Sequence, residues 1–271
     1  YRGDPCDPKN RSLEPAKRQR ELWPHTYNFL RRIRPGEEDI TDVEYVIAQY
    51  DGEITYADEN VGELMRALDE AGITEDTMVI LTSDHGESLD DHHVYFDHPN
   101  VYEPTIHVPL IFRQPGRIPK RRRVDALVQL IDIPYTILET LDIPIPPQLE
   151  GRSLTPLLRG QGKGGYSEVY CSQGLWTAKR AIRTAEGWKL IKTIDPTFWE
   201  TPETELFNLK RDPGETRNLA DEETDIRDEL ELKMARWVEA RLKKRPDPLR
   251  LIASIGLPCL KFVESAREQM K

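Results

Sequence analysis

The stretch from Thr41 to Gly86 narrows the choice of folds more than any other. Val43, Val46, Ile47, Tyr50, Ile54, Ala57, Val61, Leu64 and Leu68 recur at steps of three and four, which predicts a long helix with one apolar face. Thr41 with Glu44 reads as a capping box, and Gly72 stands where a left-handed C-terminal cap belongs. Gly52 and Gly62 lower the local helix propensity, so packing must hold this helix together. After the tight turn comes Thr77-Met78-Val79-Ile80-Leu81-Thr82, a short apolar run flanked by polar residues. Such a run predicts a strand covered on both faces. Helix, turn and buried strand make half of a doubly wound α/β unit.

Further elements extend the pattern. His107 to Phe112 reads as a second strand, with Pro109 placing it at an edge or a strand end. Asp132 reads as the cap of a helix with Pro134 in its first turn and Ile133, Ile137, Leu138 and Leu141 inward; Ser153 starts a shorter helix closed by Gly160. Gly160-Gln161-Gly162-Lys163-Gly164-Gly165 is the clearest linker. Beyond it, short runs at 167–171, 181–184, 188–194 and 205–209 predict a small antiparallel sheet. A helix over about 222–243 follows, with the stripe Ile226, Leu230, Met234, Trp237, Val238 and Leu242. The expected organisation is a Pro-rich extended region with one short helix over 1–40, an α/β unit over 41–160, a small α+β unit over 166–245, and a tail over 246–271 with a last helix.

Charge excludes one class of partner. Charged residues make up 32% of the 271, and the net charge is −10, which opposes binding to nucleic acid. No apolar run reaches the 18 or so residues of a membrane span, and the first residues, Tyr1-Arg2-Gly3-Asp4-Pro5, carry no hydrophobic signal segment. Cys6, Cys171 and Cys259 are odd in number and far apart. They suit neither a disulfide framework nor a cysteine zinc site, which points to a reducing, cytoplasmic compartment. The chain begins at Tyr1 without an initiator Met, so a processed product or a piece of something longer is expected.

Five of the six histidines, His85, His92, His93, His98 and His107, fall within 23 residues, interleaved with Asp84, Glu87, Asp90, Asp91 and Asp97. Histidine offers a neutral ligand or a proton near pH 7, and carboxylates offer hard oxygens. Together they describe a metal site or a phosphate- or sulfate-ester site. Asp84 and His85 fall at the carboxyl end of the first strand, where open α/β sheets place ligands, and metal ligation is favoured there over a plain strand-end turn. His92 and His93 are adjacent and suit a surface or supporting role as well as ligation. His107 reads as a hydrogen-bonded structural residue, and spacing alone leaves His98 open.

The string Thr82-Ser83-Asp84-His85-Gly86-Glu87, then Tyr102-Glu103-Pro104-Thr105-Ile106-His107-Val108-Pro109-Leu110-Ile111 and Pro115-Gly116, resembles the sulfatase family of the alkaline phosphatase superfamily. The resemblance continues through Asp132-Ile133-Pro134-Tyr135-Thr136, Glu150-Gly151-Arg152-Ser153-Leu154, Glu205-Leu206-Phe207-Asn208-Leu209 and Asp212-Pro213-Gly214-Glu215-Thr216, spanning about residues 42–243. It implies an alkaline-phosphatase-like doubly wound sheet, of which this chain holds the back half, with a small C-terminal antiparallel sheet plus helix. It also implies that Asp84 and His85 are two ligands of one divalent cation, usually Ca²⁺, with Mn²⁺ or another divalent ion as alternatives because nitrogen is a softer ligand. His98 stands where the family usually has a sulfate-contacting lysine, four positions before Tyr102. A protonated His98 would neutralise a sulfate oxygen or protonate the leaving alcohol.

The family's nucleophile is a formylglycine made from Cys or Ser in a Cys-x-Pro-x-Arg segment. Here Cys6-Asp7-Pro8-Lys9-Asn10-Arg11 brings the arginine one residue late and does not qualify. The expected function is therefore hydrolysis of a small-molecule or carbohydrate sulfate ester, with this chain lacking the formylglycine segment, inactive alone, and holding a cation only weakly. A phosphatase, phosphodiesterase or phosphonate hydrolase of the same superfamily is one rival. A non-catalytic metal-binding remnant or interaction module is another. The resemblance leaves the substrate alcohol to variable loops, here 1–40 and 195–204, where Phe198 and Trp199 would stack on a sugar or aryl ring.

Overall fold

The computed structural model describes residues 1–19, 40–162, 165–197, 199, 201–258 and 260. Most of the expectation for 1–40 lies outside these, apart from a short helix α1, Glu14–Gln19. Leu13 and Ala16 of this segment are fully buried against Ile40, Val43, Val46, Tyr95 and Phe96.

The long helix α2 runs Val43–Glu70. Its cap is not Thr41: the Asp42 carboxylate accepts the Glu44 amide at 3.1 Å. The Thr41 hydroxyl instead donates to the carbonyls of Asp7, at 2.8 Å, and Pro5. Asp42 takes the Glu44 N–H and the Ser12 hydroxyl takes the Val43 N–H at 2.9 Å, so Thr41 is released from capping and ties down the N-terminal segment. At the other end Gly72 has φ +68°. The amides of Ile73 and Gly72 donate to Leu68 and Asp69, which is a complete Schellman stop. Only Val43 and Val46 of the apolar face are buried. Ile54 and Leu64 are exposed at 55% and 68%, because no described element covers the distal two thirds of the helix.

Strand β1, Val79–Thr82, pairs antiparallel with β2, Leu110–Arg113, and Pro109 immediately precedes β2 where its missing donor is harmless. The two strands form a two-stranded sheet among the described residues. β1 is thus half-buried rather than covered on both faces. Between them lies α3, a single turn at Glu103–Ile106. Helix α4 spans Asp132–Thr140. Asp132 is its first residue and does not cap it. Its fully buried carboxylate accepts from the amides of Gln129 and Arg152 and from the Tyr166 hydroxyl, joining three segments. Leu141, expected inward, is 61% exposed. A short α5, Thr155–Leu158, closes on Gly160 at φ +77°.

The C-terminal sheet is an antiparallel meander of β3 (Glu168–Gln173), β4 (Ala178–Thr184), β5 (Trp188–Asp195) and β6 (Thr204–Asn208). Strand alternation sorts its side chains. Ile182, Leu190 and Leu206 bury one face against Leu230 and Met234 of α6, Thr224–Leu242. Tyr170 stacks on Trp237 of the same helix with ring centroids 4.6 Å apart. Ala181, Ile191 and Phe207 bury the opposite face against Val101 and Tyr102. The last helix α7, Pro248–Ile255, packs Leu249 on Ala178. The sheet is therefore the floor on which the histidine-rich loop rests.

Candidate active site

The loop between β1 and α3 carries the candidate chemistry, and an isolated antiparallel bridge between Ser88 and Asp97 closes it. Their backbones exchange hydrogen bonds of 3.0 and 3.2 Å. That register sets the next pair outward, Glu87 and His98, face to face, and the His98 Nδ1 lies 3.2 Å from Glu87 Oε2. The hydrogen bond to Glu87 holds the His98 imidazole above its usual pKa, against the opposing effect of partial burial. His98 also stacks on His85, with ring centroids 3.8 Å apart and planes 24° apart. Two of the anticipated residues, far apart in sequence, are thus brought into contact.

His85 Nδ1 lies 2.8 Å from the carbonyl oxygen of Gly86. A carbonyl only accepts, so Nδ1 carries the proton and the Nε2 lone pair is left for a ligand. Nε2 lies 3.8 Å from Asp84 Oδ2. Two atoms on one ion at metal–ligand lengths of about 2.1–2.5 Å are themselves about 3–5 Å apart, so this pair fits a shared cation. Asp84 is exposed, and backbone N–H groups, its own and that of His85, keep its carboxyl below the usual range. One ligand atom each from His85, Glu87 and His98 also lies within 4.8 Å of the others. In the near-parallel stack, however, the lone pairs of the two imidazoles lie in planes that do not converge nearby. Asp84 with His85 suits one cation better than His85 with His98.

Three non-glycine residues of the loop, His92, His93 and Phe96, have φ of +53°, +59° and +54°, a region costly for L side chains that persists only where packing enforces it. Phe96 is buried, and His92 stacks on Tyr102 at 3.7 Å. Burial pushes the His92 imidazole down to about 4, so it stays neutral at pH 7. His107 is exposed, with Nδ1 3.7 Å from Glu103. Trp199 is only 4% exposed, so it does not offer a ring face to a sugar; Phe198 lies outside the described residues. Glu87 was visible in the sequence only as one of several interleaved carboxylates. Its position one residue before the Ser88 bridge, eleven before His98, was the available signal.

The profile described as Sulfatase matches residues 3–143. The chain belongs to the sulfatase family. A second profile, for the C-terminal region of N-sulphoglucosamine sulphohydrolases, matches residues 91–240. Arylsulfatase K of Mus musculus is 31% identical over 220 residues, covering 77% of this chain and 38% of its own length. Among solved structures, a 2-O GAG sulfatase superposes with a TM-score of 0.66 at 25% identity, over 78% of this chain and 45% of that one. A phosphonate monoester hydrolase from Silicibacter pomeroyi gives 0.64 at 28% identity, over 76% and 43%. The chain therefore spans less than half the length of these sulfatase relatives. The fold is the alkaline-phosphatase-like α/β type with a C-terminal antiparallel sheet and helices. Sulfatases generally bind a divalent cation, and the residues described above make a His and carboxylate site of suitable chemistry.

Proposed function

We propose that this chain supplies the carboxyl-terminal half of the active site of a sulfate-ester hydrolase. Asp84 and His85 hold a divalent cation, and His98, whose imidazole Glu87 biases toward the protonated form, contacts the sulfate or protonates the leaving alcohol. The observation that carries the reading is the placement of the His85 ring: Nδ1 lies against the Gly86 carbonyl, with Nε2 beside Asp84 and His98 stacked on the ring. Ca²⁺ is the family's usual ion, and the imidazole ligand argues that Mn²⁺ binds at least as well. The substrate class is a sulfated sugar, a reading supported by the likeness to a GAG sulfatase. We also infer two units, over 41–160 and 166–245, meeting across the Tyr102 face of the sheet.

No Cys-x-Pro-x-Arg segment lies in the 271 residues, so turnover requires a nucleophile-bearing part outside them. The first test is Mn²⁺ and Ca²⁺ titration of the 271-residue chain by calorimetry. One site is expected, weakened about tenfold or more by Asp84→Asn or His85→Gln; affinity unchanged in both variants sinks the assignment. A second reading, phosphonate monoester hydrolysis, is favoured by the 28% identity to a structure of that class. Comparing turnover of 4-nitrophenyl sulfate and 4-nitrophenyl phenylphosphonate, each releasing 4-nitrophenol, by the protein translated from the full open reading frame decides between them.

A further inference from the structure

Beneath the site lies a group of charges that the chemistry above does not use. Lys189 on β5 and Glu215 after β6 are 0% and 2% exposed, and Glu103 at the start of α3 is 9% exposed. Lys189 Nζ lies 2.7 Å from Glu215 Oε1 and 3.1 Å from Glu103 Oε1. The other oxygen of Glu215 accepts the backbone amide of Glu103 at 2.6 Å. Arg183 reaches the remaining Glu103 oxygen at 3.5 Å. Glu215 itself is held at φ +54°. Charges this deeply buried are a weak source of stability, because desolvation cancels much of the attraction, and a hydrophobic cluster of the same volume would serve a floor as well. Their geometry is more informative than their energy, since both the side chain and the amide of one residue, Glu103, are gripped.

Glu103 is two residues from the contact that sets the site. The Gly86 amide donates to the Thr105 carbonyl at 2.8 Å. A Cβ at position 86 would overlap the Pro104 carbonyl oxygen, so Asp84, His85 and Glu87 are seated directly on the α3 backbone. On the other side of the loop, Thr177 of the segment before β4 donates to the Pro99 carbonyl at 2.9 Å, next to His98.

We infer that Lys189 and Glu215 are positioning residues: by clamping Glu103 they fix α3, and through Gly86 they fix the Asp84–Glu87 turn, so the C-terminal sheet is a working part of the site. This rests on reading that turn as the cation and sulfate site. The test is amide hydrogen exchange in the ¹⁵N-labelled 271-residue chain, with Mn²⁺ titration alongside. Lys189→Met is expected to speed exchange at Gly86 about tenfold more than at the amides of β3 and β6, and to weaken Mn²⁺ by a similar factor. The charge-balanced pair Lys189→Met with Glu215→Gln should recover sheet stability without recovering Gly86 protection. Exchange at Gly86 that changes only in step with β3 and β6 overturns the inference, because it marks the cluster as general scaffolding. Should Lys189→Met not fold, Glu215→Gln, which keeps an oxygen for the Glu103 amide, is judged by the same ratio. A parent chain that binds no Mn²⁺ would instead count against the cation reading, while the Gly86 ratio still decides on the clamp.

Discussion

Gly86 and Thr105 are joined backbone to backbone at 2.8 Å, with the preceding carbonyl of Pro104 filling the space a side chain would need. The Pro104 carbonyl belongs to the α3 turn, so the overlap is with backbone and not with a movable side chain. Gly86→Ala must therefore shift backbone and is expected to cost about 3 kcal/mol or more. Gly62→Ala is the control: nothing lies within 4 Å of its would-be Cβ, and it sits mid-helix in α2. It should stabilise by about 0.5–1 kcal/mol. Urea denaturation of the two variants reads the opposite signs directly.

Asp132 gives a prediction with two readouts. Its carboxylate accepts three hydrogen bonds while fully buried, and an amide in its place has one oxygen to offer. Asp132→Asn should cost about 1–3 kcal/mol. Burial, followed by the bond to Asp132, pushes the Tyr166 hydroxyl up to about 12. In the variant its ultraviolet titration should move toward lower pH; an unchanged titration would mean the contact is not formed.

Acid sensitivity is expected to localise partly at His92. Its pKa is lowered from 6.5 to about 4 by burial, so between those values the unfolded chain binds the extra proton and the folded chain does not. The contribution to stability is then fully present above pH 6.5, and it is lost as pH falls toward 4. His92→Asn, which tolerates the left-handed backbone, should show a shallower fall of melting temperature from pH 6.5 to 4.5 than the parent. A parallel fall in both proteins would assign the acid lability elsewhere.

The uncovered face of α2 predicts a neutral double change. Ile54 and Leu64 are exposed, so Ile54→Glu with Leu64→Glu should leave stability within about 0.5 kcal/mol. A large loss of stability would show that these residues are buried in the folded chain.

Elements set by local pattern were legible in the sequence, and contacts set by distant pairing were not. The step of three and four through Val43 and Val46, the Gly72 stop and the strand runs of the meander all report short-range stereochemistry, and each element formed close to where it was expected. The cap is Asp42 rather than Thr41, and the Thr41 hydroxyl is drawn to the carbonyls of Pro5 and Asp7, a tertiary contact that local pattern does not report. Trp199 illustrates the limit for sites: an aromatic in a loop reads the same whether it faces solvent or lies at 4% exposure. Asp84, His85 and His98 stood out because strand end, histidine density and family resemblance coincided. Lys189 carried no such mark, and Glu215 stood in a family-resembling string with nothing to tie it to Glu103, which lies 86 residues from Lys189 and 112 from Glu215.

Those separations also bear on how the molecule is assembled. During synthesis, the loop holding Asp84, His85 and His98 is complete long before Thr177, Lys189 and Glu215 have been made, and contacts that span such lengths close late. The histidine loop is expected to acquire its final shape late in folding, against the sheet that follows it, which a pulse-labelled hydrogen-exchange refolding experiment would time. A ribosome-stalled or truncated product ending before residue 215 would carry every proposed site residue and still lack an ordered site.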